Sequence, residues 1–478
     1  MSSPTATAQD GWLSREARRR LDQHLGEALR RARSRGEPVL ASVTEPCAAS
    51  VDPAAVVLAT RRRGEPWFCL EQPERGRFAL AALGCAAELR AAGASRFTEL
   101  AAQWRRVAAA ATHDPGGTPG SGLVALGGLA FAADDAISPS WSDFGGGSLV
   151  VPELSLARRH ETTWLTVTVA ASPDATVADL QARVQERLHE LRQAPLPLLD
   201  PAPTGRYTVR SVMPPSHYEE AVARAVGRIR HGELEKVVLA REVEVTAPTE
   251  HDPAAILGVL REACPACFVF AVGRGDATFL GASPELLVRR EGARASTVAL
   301  AGSARRSADP AVDDHLGEGL LRSDKDREEN AIVARRIARV LRPHAVWVTV
   351  AGEPALVRVA NIQHLASPIR AQLARPLGAI ELAGLLHPTP AVGGEPWTVA
   401  EPLIPALEGF HRGWYAGPVG WTDAVGDGEL CVALRCGLLR RHSARLFAGA
   451  GIVRDSDPAA ELAETEVKLQ ALLPVVSG

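Results

Sequence analysis

The sequence predicts a mixed α/β protein with mostly antiparallel strands. Three observations predict it. Short apolar runs of Val, Thr, Ala and Phe are separated by Gly, Pro and Asp turns at hairpin spacing. Helical patterns occur, but not one between every pair of strands, as a parallel sheet requires. The chain has 478 residues, 46% of them hydrophobic, enough for one large core or two to three ordinary ones. No internal repeat is legible.

The elements follow in order. Residues 12–36 have the charge-rich, leucine-spaced pattern of an exposed amphipathic helix. From 37 to 170 short strands and turns alternate. GLVALGGLAFAADD (122–135) reads as a buried strand ending in a turn. SLVVPELSLARR (148–159) and TTWLTVTVAA (162–171) read as two more strands, and GGTPGSG (116–122) and GGGS (145–148) as loops. A helix is predicted over 175–193. The proline-rich stretch 194–205 is the best boundary, dividing an N-terminal part, 1–205, from a C-terminal part, 206–478. In the second part 217–233 reads as a helix and EKVVLAREVEV (235–245) as a strand. ACFVFAVG, ATFLGA and ELLVRR are strands, with a hairpin turn before ASTVAL. Helices are predicted over 324–342 and 457–473, the second with Asp457 as cap and Pro458 at its first position.

Composition removes several function classes. A net charge of -3 gives no basic surplus for nucleic acid. The N-terminus lacks the apolar core of a secretory signal, and no window nears 18 uninterrupted apolar residues. A soluble cytoplasmic protein is expected. Seven cysteines, an odd number in a long chain, argue against a disulfide framework. Cys264-Pro-Ala-Cys267 has zinc or redox spacing, but no second pair completes four ligands, so buried free thiols are expected.

Only three of 53 basic residues are lysine: Lys236, Lys325 and Lys468. Arginine stays protonated, whereas a buried lysine can act as a base, so the survivors mark positions where arginine does not serve. Lys236 heads an apolar strand, where desolvation favours the neutral amine; an edge lysine reaching to water is the plainer alternative. Glu461, Glu464 and Lys468 stand at i, i+3 and i+7 on one helix face, as they also would on a solvated face. Just upstream, RLFAGAGIV has glycines that let backbone approach a ligand. Asp324, Asp326, Glu328 and Glu329 crowd a helix start, which suits the macrodipole and equally suits a hard cation. Glu285 follows Ser283-Pro284 and precedes an apolar strand, where it is either a solvated turn residue or an acid of raised pKa.

Together these segments resemble the chorismate-using family of isochorismate synthases, salicylate synthases and the large subunits of anthranilate and aminodeoxychorismate synthases. The resemblance is carried in order by EKVVLAR (235–241), GASPELL (281–287), LAGSARR (300–306), SDKDREEN (323–330), NIQHLASPI (361–369), HPTPAVGG (387–394), GPVGW (417–421), LRCGLL (434–439), RLFAGAGIV (445–453) and ELAETEVKL (461–469). GGLAF (127–131), Trp141 and Phe144 resemble a weaker N-terminal signature. All three lysines fall inside the C-terminal motifs.

The resemblance implies one large domain of two layered antiparallel sheets flanked by helices, with the site between them. It implies Mg²⁺ on Glu329 and Glu464, with Glu461 adjacent or acting through water. It implies substrate contacts from Gly302, Ser303, His364, Arg435, Gly449 and Lys468, with Tyr415 and Ala391 lining the pocket. Members that use water have lysine at the position of Lys236, and anthranilate synthases have glutamine. Lys236 is then the base for water and Glu285 the acid for the C4 hydroxyl of chorismate. HPTPAVGG further resembles isochorismate synthases. No amidotransferase subunit is expected, and a monomer is. One departure stands out: the family's Glu-His is here Glu329-Asn330, and asparagine carries no charge. The competing readings are a salicylate synthase, an aminating synthase and an inactive regulatory relative.

Overall fold

Strand Phe268–Gly275 shows how the architecture arises. Its side chains alternate between two apolar cores: Phe268, Phe270 and Val272 enter one, Val269 and Ala271 the other. A strand buried on both faces reads as a continuous apolar run. The computed structural model describes residues 11–134, 138–200, 203–359 and 362–477. Within these, the strands form two large sheets, of thirteen and ten strands, with helices around them. Neighbouring strands run antiparallel, except that Val39–Cys47 pairs with Thr112–His113 in parallel. The first core lies between the sheets, joining Leu80, Phe270 and Phe279 of the larger to Leu126, Val288 and Val419 of the smaller. The second lies under the outer helices, where Leu21, Leu25 and Leu257 meet Val43 and Val269.

The mixed, antiparallel architecture is as the sequence predicts. A repeat that the sequence does not show is also present. In the N-terminal half, helix Arg15–Arg35 leads into strand Val39–Cys47 and helix Pro53–Thr60. Strands Gly64–Gln72 and Phe78–Leu83 follow, and helix Val177–His189 comes last. In the C-terminal half the same order runs Pro215–Arg230, Lys236–Thr246, Pro253–Ala263, Phe268–Gly275, Ala277–Ser283 and finally Pro458–Leu469. Both short helices begin at an Asp-Pro cap, Asp52-Pro53 and Asp252-Pro253. The halves join edge to edge in both sheets, Gly64–Gln72 on Phe268–Gly275 and Val124–Leu129 on Pro418–Asp423. Both sheets therefore cross the proline-rich stretch, whose residues 194–200 have no regular structure.

Two elements differ from expectation. SLVVPELSLARR is not one strand: Gly147–Val151 belongs to the smaller sheet and Leu154–Arg159 to the larger. Pro152 offers no N–H to a ladder, and the chain changes sheets there. The last helix ends at Leu469, and a separate short helix covers Leu473–Ser477. Pro474 blocks continuation, because proline lacks the N–H and disfavours the helical conformation before it. Asp457 and Pro458 begin the longer helix as expected, the Asp457 carboxylate accepting from the Ala460 amide at 2.9 Å.

Candidate active site

Two sheet-to-sheet crossings make the cleft. The chain leaves the larger sheet at Ser283 and enters the smaller at Leu286, so Pro284 and Glu285 lie between them. It returns through Ala433–Arg435 to Cys436. Arg435 turns this corner with φ 49°, a conformation that costs a side-chain-bearing residue energy and is kept by its surroundings. A third corner is a register shift between Ala301 and Ser303, where Gly302 has φ 80°. A Cβ on Gly302 would lie 3.0 Å from Cβ of Asp326, so this close approach requires glycine.

The cleft so formed is lined by Glu285, Gly302, Ser303, Glu329, His364, Ala391, Tyr415, Arg435, Gly449, Glu464 and Lys468. These come from motifs scattered over 180 residues of sequence. Lys236 lies just behind, 1% exposed; a Cβ on Gly451, which lines the cleft, would sit 2.9 Å from its Cε. Glu461 is buried one turn before Glu464 and does not reach the cleft surface.

Polar partners fix several of these groups. Arg435 can only donate, and it meets His364 Nε2 at 3.2 Å; the ring proton therefore sits on Nδ1, 2.9 Å from Ser303 Oγ. Burial, then the Arg435 charge, pushes His364 well below the usual histidine range, so it is neutral. Burial raises the Glu285 carboxyl to about 8, against the opposing pull of Lys236 and Lys468. Glu285 is therefore an acid that still holds its proton at neutral pH.

The lysines show one pattern. Lys236 Nζ stands 2.8 Å from Glu329 Oε1, Lys325 Nζ 3.3 Å from Glu461 Oε1, and Lys468 Nζ 2.7 Å from Glu464 Oε1. Each of the chain's three lysines holds one of the three glutamates. Lys468 also donates to the Gly449 carbonyl at 2.8 Å. Burial opposes charge on Glu464, yet Lys468 holds it below the ordinary carboxylate range; burial and then Glu464 push Glu461 up. Among the described residues no three potential ligands converge as a ready-made metal cage. Mg²⁺ does not need one, since it takes one or two carboxylates and keeps waters. Glu329 and Glu464, from two helices and facing one cleft, fit that demand.

Asn330 points away from the cleft. Its amide donates to the carbonyls of Ala299 and Leu365, each at 3.0 Å, and its oxygen accepts from Ser367 Oγ at 2.6 Å. It ties together the two strands that carry Gly302 and His364.

Sequence reasoning missed the floor of the cleft. Arg412 is buried, donates to the carbonyls of Val392 at 2.7 Å and Val238 at 2.9 Å, and pairs with Glu408 at 3.0 Å. Glu408 in turn accepts from the Ala240 amide at 2.7 Å. An arginine three residues before Tyr415 was the available signal, lost among forty-nine others.

A larger cavity, about 520 Å³, opens near Arg75, Phe78, Trp421 and Glu429. None of the candidate catalytic, metal or substrate residues lines it, and its buried Glu429 is already taken by Arg75 and Arg289. The candidate cleft is smaller, about 70 Å³, with the Lys468–Glu464 pair in its wall. Cys264 and Cys267 are buried free thiols, and no disulfide is present. No described helix is long and apolar enough to cross a membrane.

Known proteins are similar to this chain. A salicylate biosynthesis isochorismate synthase of Pseudomonas aeruginosa is 38% identical over 429 residues, covering 90% of this chain and 88% of that protein. Isochorismate synthase MenF of Bacillus subtilis is 33% identical over 394 residues, 80% of this chain and 82% of its own length. The solved structure of MenF, the menaquinone-specific isochorismate synthase from Escherichia coli, matches with a TM-score of 0.76. It does so at 27% identity, over 95% of this chain and 99% of that one. Residues 27–477 match the model of one family, and on that match the chain belongs to the chorismate binding enzymes.

Proposed function

We propose that the protein is an isochorismate synthase, an isomerase that interconverts chorismate and isochorismate by adding water at C2 with loss of the C4 hydroxyl. One observation carries this reading: a buried lysine, Lys236, and a buried glutamate that keeps its proton to about pH 8, Glu285, meet at one cleft. Water must lose a proton as it attacks, and a hydroxyl must gain one as it leaves. Lys236 takes the proton at Nζ while the water oxygen bonds to C2. The ring double bonds shift and the C4–O bond breaks. Glu285 gives its proton to the departing oxygen, which leaves as water. Glu329, 2.8 Å from Nζ, stabilises the ammonium so formed.

Arg435, Lys468 and the Ser303–His364 pair supply donors for the substrate's carboxylates, and Gly302, Gly449, Ala391 and Tyr415 shape the space for its ring. Glu329 and Glu464, with Glu461 behind them, would hold Mg²⁺. When bound there, the ion would neutralise a substrate carboxylate and fix its position. The relatives' names support the same activity. The enzyme works as a cytoplasmic monomer without an amidotransferase subunit on this reading.

The test is product identification after mixing protein, chorismate and Mg²⁺. Isochorismate in a reversible mixture with chorismate, without pyruvate, is the expected result. Pyruvate formed stoichiometrically would make the protein a salicylate synthase. Turnover that needs ammonia would make it an aminating enzyme, and no turnover a regulatory relative.

A further inference from the structure

Lys236 and Lys468 have places in the proposed chemistry, but Lys325 does not. It reaches from helix Asp324–Leu341, which carries Glu329, to helix Pro458–Leu469, which carries Glu464. Its ammonium lies 3.3 Å from Glu461 Oε1; the Lys325 side chain is 44% exposed and that of Glu461 only 4%. Glu461 is thus a buried carboxylate one turn from another carboxylate, an arrangement that needs a cation nearby. Lys325 supplies that charge from the solvent side. A long stem and half-exposure let it swing into water, which Lys236, at 1% exposed, has no room to do.

We propose that Lys325 is a displaceable counter-ion that sets the affinity of the glutamate site for its divalent cation. Its ammonium occupies Glu461 in the metal-free protein and competes with Mg²⁺ for the charge of Glu329, Glu461 and Glu464. The inference rests on reading these three residues as the metal site. Its consequence is counterintuitive for a lysine inside a matched motif: removing it strengthens metal binding. The Lys325 ammonium and the divalent cation repel across a partly solvated gap, so relieving that repulsion is worth about tenfold in affinity.

The experiment is calorimetric titration of the full-length protein with magnesium chloride alone, without substrate. Lys325→Gln and Lys325→Met should bind Mg²⁺ about tenfold tighter than the parent, and Lys325→Arg, which keeps the charge, within about threefold of it. Glu329→Gln should lose the binding. Unchanged or weaker binding in Lys325→Gln and Lys325→Met, with Glu329→Gln still defective, overturns the counter-ion role and leaves the metal site standing. Parent-like binding by Glu329→Gln removes the metal site and the proposal with it. Undetectable binding in every variant also overturns it, because deleting the ammonium would then have failed to create affinity. Thermal melts of the variants verify folding, which half-exposed Lys325 should not affect.

Discussion

The two halves share a topology, yet the proposed cleft lies in only one of them, and the equivalent corners differ. In the C-terminal half the crossing after Ala277–Ser283 presents Glu285, and the return crossing presents Arg435. In the N-terminal half the corresponding crossing is Gly84-Cys85-Ala86 and the return is Pro152-Glu153. There a Cβ on Gly84 would lie 2.6 Å from Glu153 Oε2, and the pocket of about 120 Å³ beside Cys85, Ala86 and Glu153 is lined by Arg62, Arg183 and Arg187, with no lysine. The last helix differs as well. Val177–His189 buries Leu180 and Val184, and its Arg187 is held by Glu65, by Glu153 at 3.2 Å and by Glu190 at 2.8 Å. Pro458–Leu469 instead turns Glu464 and Lys468 toward open space. The C-terminal half also has a block that the other lacks, from Arg294 to Leu373, which brings Gly302, Ser303, Glu329 and His364. A shared frame supplies the crossings, and the added block together with a few corner residues turns one of them into a site.

This contrast can be broken experimentally. The largest effect belongs to the metal glutamates: Glu464→Gln should lower turnover at least about 10³-fold with an unchanged fold. Normal turnover after chelator treatment would sink the assignment. Next is the N-terminal counterpart. Arg187→Met removes a buried cation from the partly exposed carboxylates of Glu65, Glu153 and Glu190 and should cost about 1–3 kcal/mol of stability by denaturant melt. Its kcat/KM at a temperature where it stays folded should remain within about twofold; a large kinetic loss would show that the N-terminal half shares in the chemistry.

Lys236→Arg comes third. Arginine keeps the charge but gives up no proton, so turnover should fall at least about 10²-fold while Mg²⁺ binding persists. A near-normal rate would remove the base from the mechanism. The mildest test uses pH. With Glu285 raised to about 8, kcat/KM should decline above that pH, by about tenfold per unit, as the acid loses its proton. Stability gives an independent readout of the same carboxyl. Folding raises its pKa from the ordinary 4.5, so the native state holds a proton that the unfolded chain releases. That contribution is complete below about 4.5 and is lost as pH rises toward 8. Glu285→Gln should flatten this slope, and a slope unchanged in the variant would reassign it.

Much of the site was legible because its residues are chemically odd where they stand. Three lysines among 53 basic residues point straight at three glutamates. Glu285 could be read as a solvated turn or a buried acid until the sheet crossing placed it between layers, since one sequence motif does not reveal the layer opposite. Asn330 looked like a weakened neighbour of a metal ligand; its three hydrogen bonds make it a tie between strands, a role set by residues 31 and 37 positions away. The repeat was invisible because the halves share topology and caps but fill equivalent corners with different residues, Cys85 against Glu285 and Glu153 against Arg435. Arg412 was hidden by the abundance of arginine itself.

The seating of strand Ser443–Ile452 has a consequence for how the protein is made. It lies between Lys236–Thr246 and Cys436–Arg440, so the strand headed by Lys236 gains this neighbour only after some two hundred further residues have been synthesised. At ribosomal rates of about 5–20 residues per second, that is roughly 10–40 s with an apolar edge unpaired. Such an edge is a template for pairing with another chain. Growth temperature and chaperone supply should therefore govern the yield of active protein more strongly than the stability of the finished molecule does.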